Sequence, residues 1–133
     1  MNNKNCVLVV EDEVPLSDII CIGLQKSGFE VATARSVEEA KGCLKGAENV
    51  NAVWLDHYLL GKETGLDFIT WCKADTSPYK SIPFFVVTNT SEVDSHTYLS
   101  LGATKYYIKA EKRLCEIIAD IHECLNCNSP KKD

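Results

Sequence analysis

Cys6-Val7-Leu8-Val9-Val10-Glu11-Asp12-Glu13 runs five apolar residues directly into three carboxylates. Successive side chains of a strand point to opposite faces, so an unbroken apolar run needs a dry environment on both. Such a strand belongs inside a parallel sheet with helices on either side. The charges that follow it then stand where the chain leaves the sheet, at the carboxyl end of the strand.

Working outward, two hydrophobic periods alternate. Leu16, Ile19, Ile20, Gly23 and Leu24 recur at helical spacing, and Gly28 stands where a left-handed helix cap is wanted. Phe29 to Thr33 reads as a second strand. Ser36-Val-Glu-Glu39 is a capping box, serine and glutamate each satisfying the other's end of the turn, and its helix runs through Leu44. Ala52 to Leu55 is a third buried strand, ending in Asp56. A glycine-containing loop, Gly61 to Gly65, leads to a helix with Phe68, Ile69 and Cys72 on one face. Ile82 to Val87 is a fourth strand, with Pro83 tolerable only near its start. Ser91 to Leu101 is predicted helical, capped by Thr90 or Ser91. Lys105 to Ile108 is a fifth strand, and Leu114, Ile117, Ile118, Ile121 and Leu125 form the apolar stripe of a closing helix. Trp54 and Trp71 are expected in the core. Five strand–helix pairs predict an α/β fold, a doubly wound parallel sheet, forming one domain over residues 1–128 with a short tail at 129–133.

Composition narrows the function classes. A chain of 133 residues buries roughly two-thirds of the surface its unfolded form exposes, enough for a self-sufficient core. Its apolar runs are too short to cross a bilayer. Met1-Asn-Asn-Lys-Asn leads straight into a strand-like segment, so no signal peptide is expected. A formal charge of −5 argues against a nucleic-acid surface, which usually carries a basic stripe. Seven scattered cysteines, an odd number, read as small core hydrophobes in a reducing cytoplasmic setting rather than a disulfide framework. His122, Cys124 and Cys127 offer three of the four ligands a structural zinc site wants, with no second pair nearby, and read as ordinary helix-end side chains.

In an open parallel sheet, functional groups gather beyond the carboxyl ends of the strands. The first strand ends at Glu11-Asp12-Glu13, the third at Asp56, the fourth at Thr88 and the fifth at Lys109; the second ends in Ala34-Arg35, without obvious chemistry. Carboxylates gathered this closely need a cation or protons between them. Hard oxygen ligands suit Mg²⁺, with Mn²⁺ possible on the same donors. Asp56, central in the sheet, is the natural nucleophile; Lys109 and the Thr88 hydroxyl would meet phosphoryl oxygens. His57 adjoins Asp56, but alternation turns it to the opposite face, where a packing or surface role is expected.

With these stretches in view, the chain resembles the receiver domains of two-component response regulators over nearly its whole length. The matching segments are Val7 to Glu13, Ser27 to Ala34, Asp56 with Gly65-Leu-Asp67, Ile82 to Thr88, and Leu101 to Lys109. The resemblance implies a five-stranded, flavodoxin-like sheet in the order 2-1-3-4-5 with five helices. It also implies the roles of the site residues. Asp56 is similar to the family's phosphoacceptor. Asp12 corresponds to a direct Mg²⁺ ligand, Glu11 to one acting through water, and the Tyr58 carbonyl to a further ligand. Thr88 resembles the switch hydroxyl, Tyr106 the switch aromatic, and Lys109 the family's invariant lysine. The donor would be a histidine kinase or histidine phosphotransfer protein. The output surface would be the fourth helix, fifth strand and fifth helix, meeting a downstream protein or a second copy. Such a domain is not a conventional enzyme: it catalyses only its own phosphorylation and dephosphorylation.

The chain also departs from the family pattern. Leu60 stands where proline is common, the segment from Asp56 to Gly65 is one residue longer than usual, Asn89 follows Thr88 where a small residue is typical, and Ala110 replaces a frequent proline after Lys109. The longer loop supports an alternative, a phosphate-independent interaction module on the same fold. A haloacid-dehalogenase-type phosphatase would want Asp-x-Asp after the first strand. A nucleotide enzyme would want a glycine-rich turn where Glu11 to Pro15 stands.

Overall fold

The structure, a computed structural model, describes residues 4–46, 49–89 and 95–127, without the side chain of residue 127. Along the chain run β1 (Cys6–Val10), α1 (Val14–Lys26), β2 (Glu30–Ala34), α2 (Val37–Lys45), β3 (Ala52–Leu55), α3 (Gly65–Cys72), β4 (Phe84–Thr88), α4 (Ser95–Ser100), β5 (Lys105–Ile108) and α5 (Leu114–Cys127), with a 3₁₀ turn at Lys109–Glu111. The strands form one parallel sheet in the order β2-β1-β3-β4-β5. This is the doubly wound parallel sheet the sequence predicts, in the flavodoxin-like order the resemblance implies.

Each strand of the interior feeds two cores. Leu8 and Val10 of β1, with Val53 and Leu55 of β3, face α2, α3 and α4; Val7 and Val9, with Ala52 and Trp54, face α1 and α5. That alternation is why the central strands tolerate no polar residue along their length. Trp54 is buried, whereas Trp71 is only partly buried, stacked between Phe68 and Tyr79 at the rim of the first core.

Several sequence expectations shift in detail. On α1 the buried stripe is Ser17, Ile20 and Leu24, while Ile19 faces solvent. Gly23 is there for close approach: a Cβ would stand 3.0 Å from Ile118 Cδ1 on α5. β2 begins one residue later than Phe29 because the ladder with β1 starts at the pair Cys6 and Glu30. β4 starts at Phe84, since Ile82 is still held in a turn by Tyr79 while the Pro83 carbonyl already accepts from Val53. The Ser36 hydroxyl accepts from the Glu39 N–H at 3.1 Å, but Glu39 reaches back to the Arg35 N–H rather than to that of Ser36. The fully reciprocal box is Thr64 with Asp67, at the head of α3. Residues 90–94, including the expected caps Thr90 and Ser91, and the tail at 129–133 lie outside the described residues. Cys6, Cys21, Cys43, Cys72, Cys115 and Cys124 stand outside any disulfide.

Strand register positions the site. Val10 pairs with Ala34 on one side and with Leu55 on the other, so β1, β2 and β3 end level. The Glu11 N–H donates to the Ala34 carbonyl and the Asp56 N–H to the Val10 carbonyl, each at 3.0 Å. Glu11 and Asp56 therefore leave the sheet side by side. Thr88 pairs with Ile108, which delivers Lys109 to the same rim.

Candidate functional site

One oxygen from each of Glu11, Asp12 and Asp56 lies within 4.8 Å of the others. Lys109 crosses from the far edge of the sheet, its Nζ 3.1 Å from Glu11 Oε1 and 3.2 Å from Asp56 Oδ2. Glu11 is wholly buried, Asp56 nearly so, and Asp12 half-buried. Burial first, then the neighbouring Asp56 charge, pushes the Glu11 carboxyl up to about 7, against the opposite pull of Lys109. Burial alone would lower the Lys109 ammonium, but Asp56 and Glu11 outweigh it and hold it above its ordinary value. One ammonium facing three carboxylates leaves the pocket short of positive charge. An oxygen-only donor set with that deficit fits a hard divalent cation.

Of the remaining sequence candidates, Thr88 also stands at the carboxyl end of its strand. Thr88 ends β4 fully buried, and its hydroxyl has no hydrogen-bond partner among the described residues. A buried, unsatisfied hydroxyl is costly, so a group that accepts from it would be favoured there. Tyr58, two residues past Asp56, exposes its side chain and sets its ring edge-on to His57. Tyr106 and Tyr107 point to opposite faces, as alternation requires. Tyr106 is half-buried against the α2–α4 core with its ring 5.9 Å from that of Tyr98. Tyr107 is buried under α5, its hydroxyl donating to Asp120 Oδ2 at 2.6 Å.

Three residues contribute to the site in ways sequence reasoning missed. Arg35, read as lacking chemistry, donates from Nε and Nη2 to the Asp12 carbonyl at 3.3 and 3.2 Å. Its own carbonyl accepts the Leu60 N–H at 3.0 Å. It thereby ties the acidic turn after β1 to the loop after β3. Proline at position 60 would have no N–H to give, so the departure at Leu60 has a structural use. Tyr98 is the second: fully buried, its hydroxyl lies 2.8 Å from His57 Nδ1. Burial lowers the His57 imidazole below its ordinary value and raises the Tyr98 phenol, so this is a bond between neutral groups. Gly65 is the third, its N–H donating to the His57 carbonyl at 2.8 Å. A Cβ on Gly65 would come within 2.6 Å of both the Asp56 carbonyl and the Tyr98 hydroxyl. A Gly-x-Asp segment was visible in the sequence; that its glycine touches a tyrosine 33 positions on was not.

His57 itself is buried and takes the packing role expected of it. His122 is likewise committed to packing: its Nε2 is 2.9 Å from the Ser27 carbonyl and its ring lies against Phe29. Among the described residues, the acidic trio is the one cluster of metal-ligating side chains, and no helix is long and apolar enough to cross a membrane.

Comparison with known proteins agrees with this geometry. The phosphate regulon transcriptional regulatory protein PhoB of Escherichia coli is 29% identical over 108 residues, 77% of this chain and 44% of that protein. The chain thus spans less than half the length of the curated relatives it matches. A CheY-like response regulator receiver domain protein of Methanospirillum hungatei superposes with a TM-score of 0.82 at 21% identity, covering 93% of this chain and 95% of that one. The phosphorylated cyanobacterial phytochrome response regulator RcpA superposes with a TM-score of 0.81 at 25% identity, covering 97% and 100%. The family model described as "Response regulator receiver domain" matches residues 7–119, from the first residues of β1 into α5. With all of the sheet but Cys6, and the acidic rim, inside that match, the chain belongs to the response regulator receiver domain family.

Proposed function

We propose that this receiver accepts a phosphoryl group on Asp56 from a histidine kinase or histidine phosphotransfer protein and signals through its α4-β5-α5 surface. The observation that carries the reading is Lys109 bridging Asp56 and Glu11, with a buried Thr88 hydroxyl at the end of β4 that has no partner among the described residues. In the transfer, an Asp56 carboxylate oxygen forms a bond to phosphorus as the donor's P–N bond breaks, and the departing imidazole retains the nitrogen lone pair. Lys109 neutralises phosphoryl charge, and the Thr88 hydroxyl supplies a hydrogen bond that it does not make in this state. Glu11, Asp12, Asp56 and the Tyr58 carbonyl would hold Mg²⁺, or Mn²⁺ on the same donors. Bound there, the cation supplies charge neutralisation between the acceptor carboxylate and the incoming phosphoryl group.

Phosphorylation then favours a conformer with Thr88 drawn toward the phosphoryl group and Tyr106 turned further inward. That change would alter a groove of about 660 Å³ lined by Leu99, Lys105, Tyr106, Ile108 and Lys112, where a downstream protein or a second copy docks. The gathering of Glu11, Asp12, Asp56 and Lys109 favours this reading over a phosphate-independent module. The domain acts in the cytoplasm, over residues 1–128, without binding nucleic acid or membrane directly, and its only chemistry is on itself. Incubation with acetyl phosphate and Mg²⁺ tests it. The chain should gain one phosphoryl mass, and Asp56→Asn should gain none; labelling that persists in Asp56→Asn would overturn the assignment.

A further inference from the structure

The His57–Tyr98 contact suggests a second path from the acceptor to the output surface. The inference rests on the function proposed above. Asp56 Oδ2 is taken by Lys109, while Oδ1 accepts the His57 N–H at 2.7 Å. The residue that orients the nucleophile through its backbone is itself pinned through its side chain, by the Tyr98 hydroxyl 2.8 Å from Nδ1. Tyr98 is the buried residue of α4; described residues Ser95, His96, Thr97, Leu99 and Ser100 are exposed. Gly65 closes the arrangement from α3, with no space for a Cβ between the Asp56 carbonyl and the Tyr98 hydroxyl.

We propose that Tyr98 is a positioning residue which, through His57, couples the load on Asp56 to the placement of α4. The link is separate from Thr88. It runs from Asp56 Oδ1 to the His57 backbone, across the ring to the Tyr98 hydroxyl, and from the Tyr98 ring to Tyr106, 5.9 Å away on β5. A packed contact of this kind has little slack. A small movement of the residue 56–57 backbone must be followed by α4, or must break a buried hydrogen bond. Coupling is reciprocal, so whatever holds α4 also biases the acceptor.

The test follows amide NMR shifts of ¹⁵N-labelled protein before and after phosphorylation with acetyl phosphate and Mg²⁺, with mass spectrometry scoring acceptance. Tyr98→Phe removes only the hydroxyl: it should still gain one phosphoryl mass, but the phosphorylation-dependent shifts at 95–100 and 105–108 should collapse toward the unphosphorylated positions. Tyr107→Phe removes a comparable hydroxyl on the opposite face and should keep both readouts at wild-type values. His57→Phe should reproduce Tyr98→Phe, and the double variant should lose no more than either single one. Wild-type shift amplitude in Tyr98→Phe would overturn the proposal, as would losses that add in the double variant. If Tyr98→Phe does not fold, the shifts in His57→Phe decide in the same way. A wild-type chain that takes no phosphoryl group sinks the functional reading itself, and this inference with it; failure of the coupling alone leaves acceptance on Asp56 intact.

Discussion

The two faces of the sheet are built differently. Against α1 and α5 the packing is mostly hydrocarbon: Val7, Val9, Ile20, Leu24, Ile117, Ile118 and Ile121. Its side-chain hydrogen bonds, such as Tyr107 to Asp120 and His122 to Ser27, sit at the margin and join well-matched partners. Against α2, α3 and α4 the packing near the carboxyl rim mixes aromatic and polar groups: His57, Tyr98 and Tyr106, with a glycine where any larger residue would collide. At the rim sit a buried glutamate and a buried threonine hydroxyl without a partner among the described residues. The first face contributes stability by area, and the polar atom left over in it is the Trp54 indole N–H, buried without a hydrogen-bond partner among the described residues. The second contains groups whose partners can change, as a two-state element requires.

The contrast can be broken by substitution. The largest effect on stability is expected from Ile121→Ala on the hydrocarbon face, a loss of about 2–5 kcal/mol in urea or thermal unfolding. The folded fraction should still accept a full phosphoryl group. Lys109→Ala should do the converse, slowing acetyl phosphate labelling about a hundred-fold with the sheet preserved in circular dichroism. Thr88→Val should stabilise the unphosphorylated protein by about 1 kcal/mol, because it removes a buried hydroxyl that lacks a partner. The same variant should blunt the phosphorylation-dependent shifts on β5. Equal or lower stability for Thr88→Val would show that the hydroxyl is satisfied in solution and not held in reserve. The smallest effect is expected from Leu60→Pro, which gives up the N–H bonded to Arg35 at an exposed bridge to Ser36 and should cost about 0.5–1.5 kcal/mol. If that variant is neutral, the tie between the two acidic loops has no energetic weight.

Much of this was legible in the residues. The apolar run Cys6 to Val10 announced a strand covered on both faces, and the positions of Glu11, Asp56 and Lys109 just past their strands, and of Thr88 at the end of its own, followed from periodicity alone. Legibility failed where a contact is non-local and leaves no local pattern. Ile19 fits a helical stripe as well as Ser17 does, and only the docking of α1 against α5 decides which is buried. Arg35 shows no motif; its role comes from the Asp12 and Leu60 loops converging on it. Glu39 could answer Ser36 or Arg35, and the difference is one residue of backbone geometry.

By itself, then, the sequence determined the order of strands and helices and the chemical kind of each group at the strand ends. Periodicity and charge are local properties, and burial acts on them residue by residue. The tertiary structure decided distance and partnership: that Lys109 reaches two carboxylates across the sheet, that the Thr88 hydroxyl has no partner among the described residues, and that a tyrosine on α4 touches the residue beside the acceptor. Those facts depend on register and close packing among segments far apart in the chain, which no local pattern encodes.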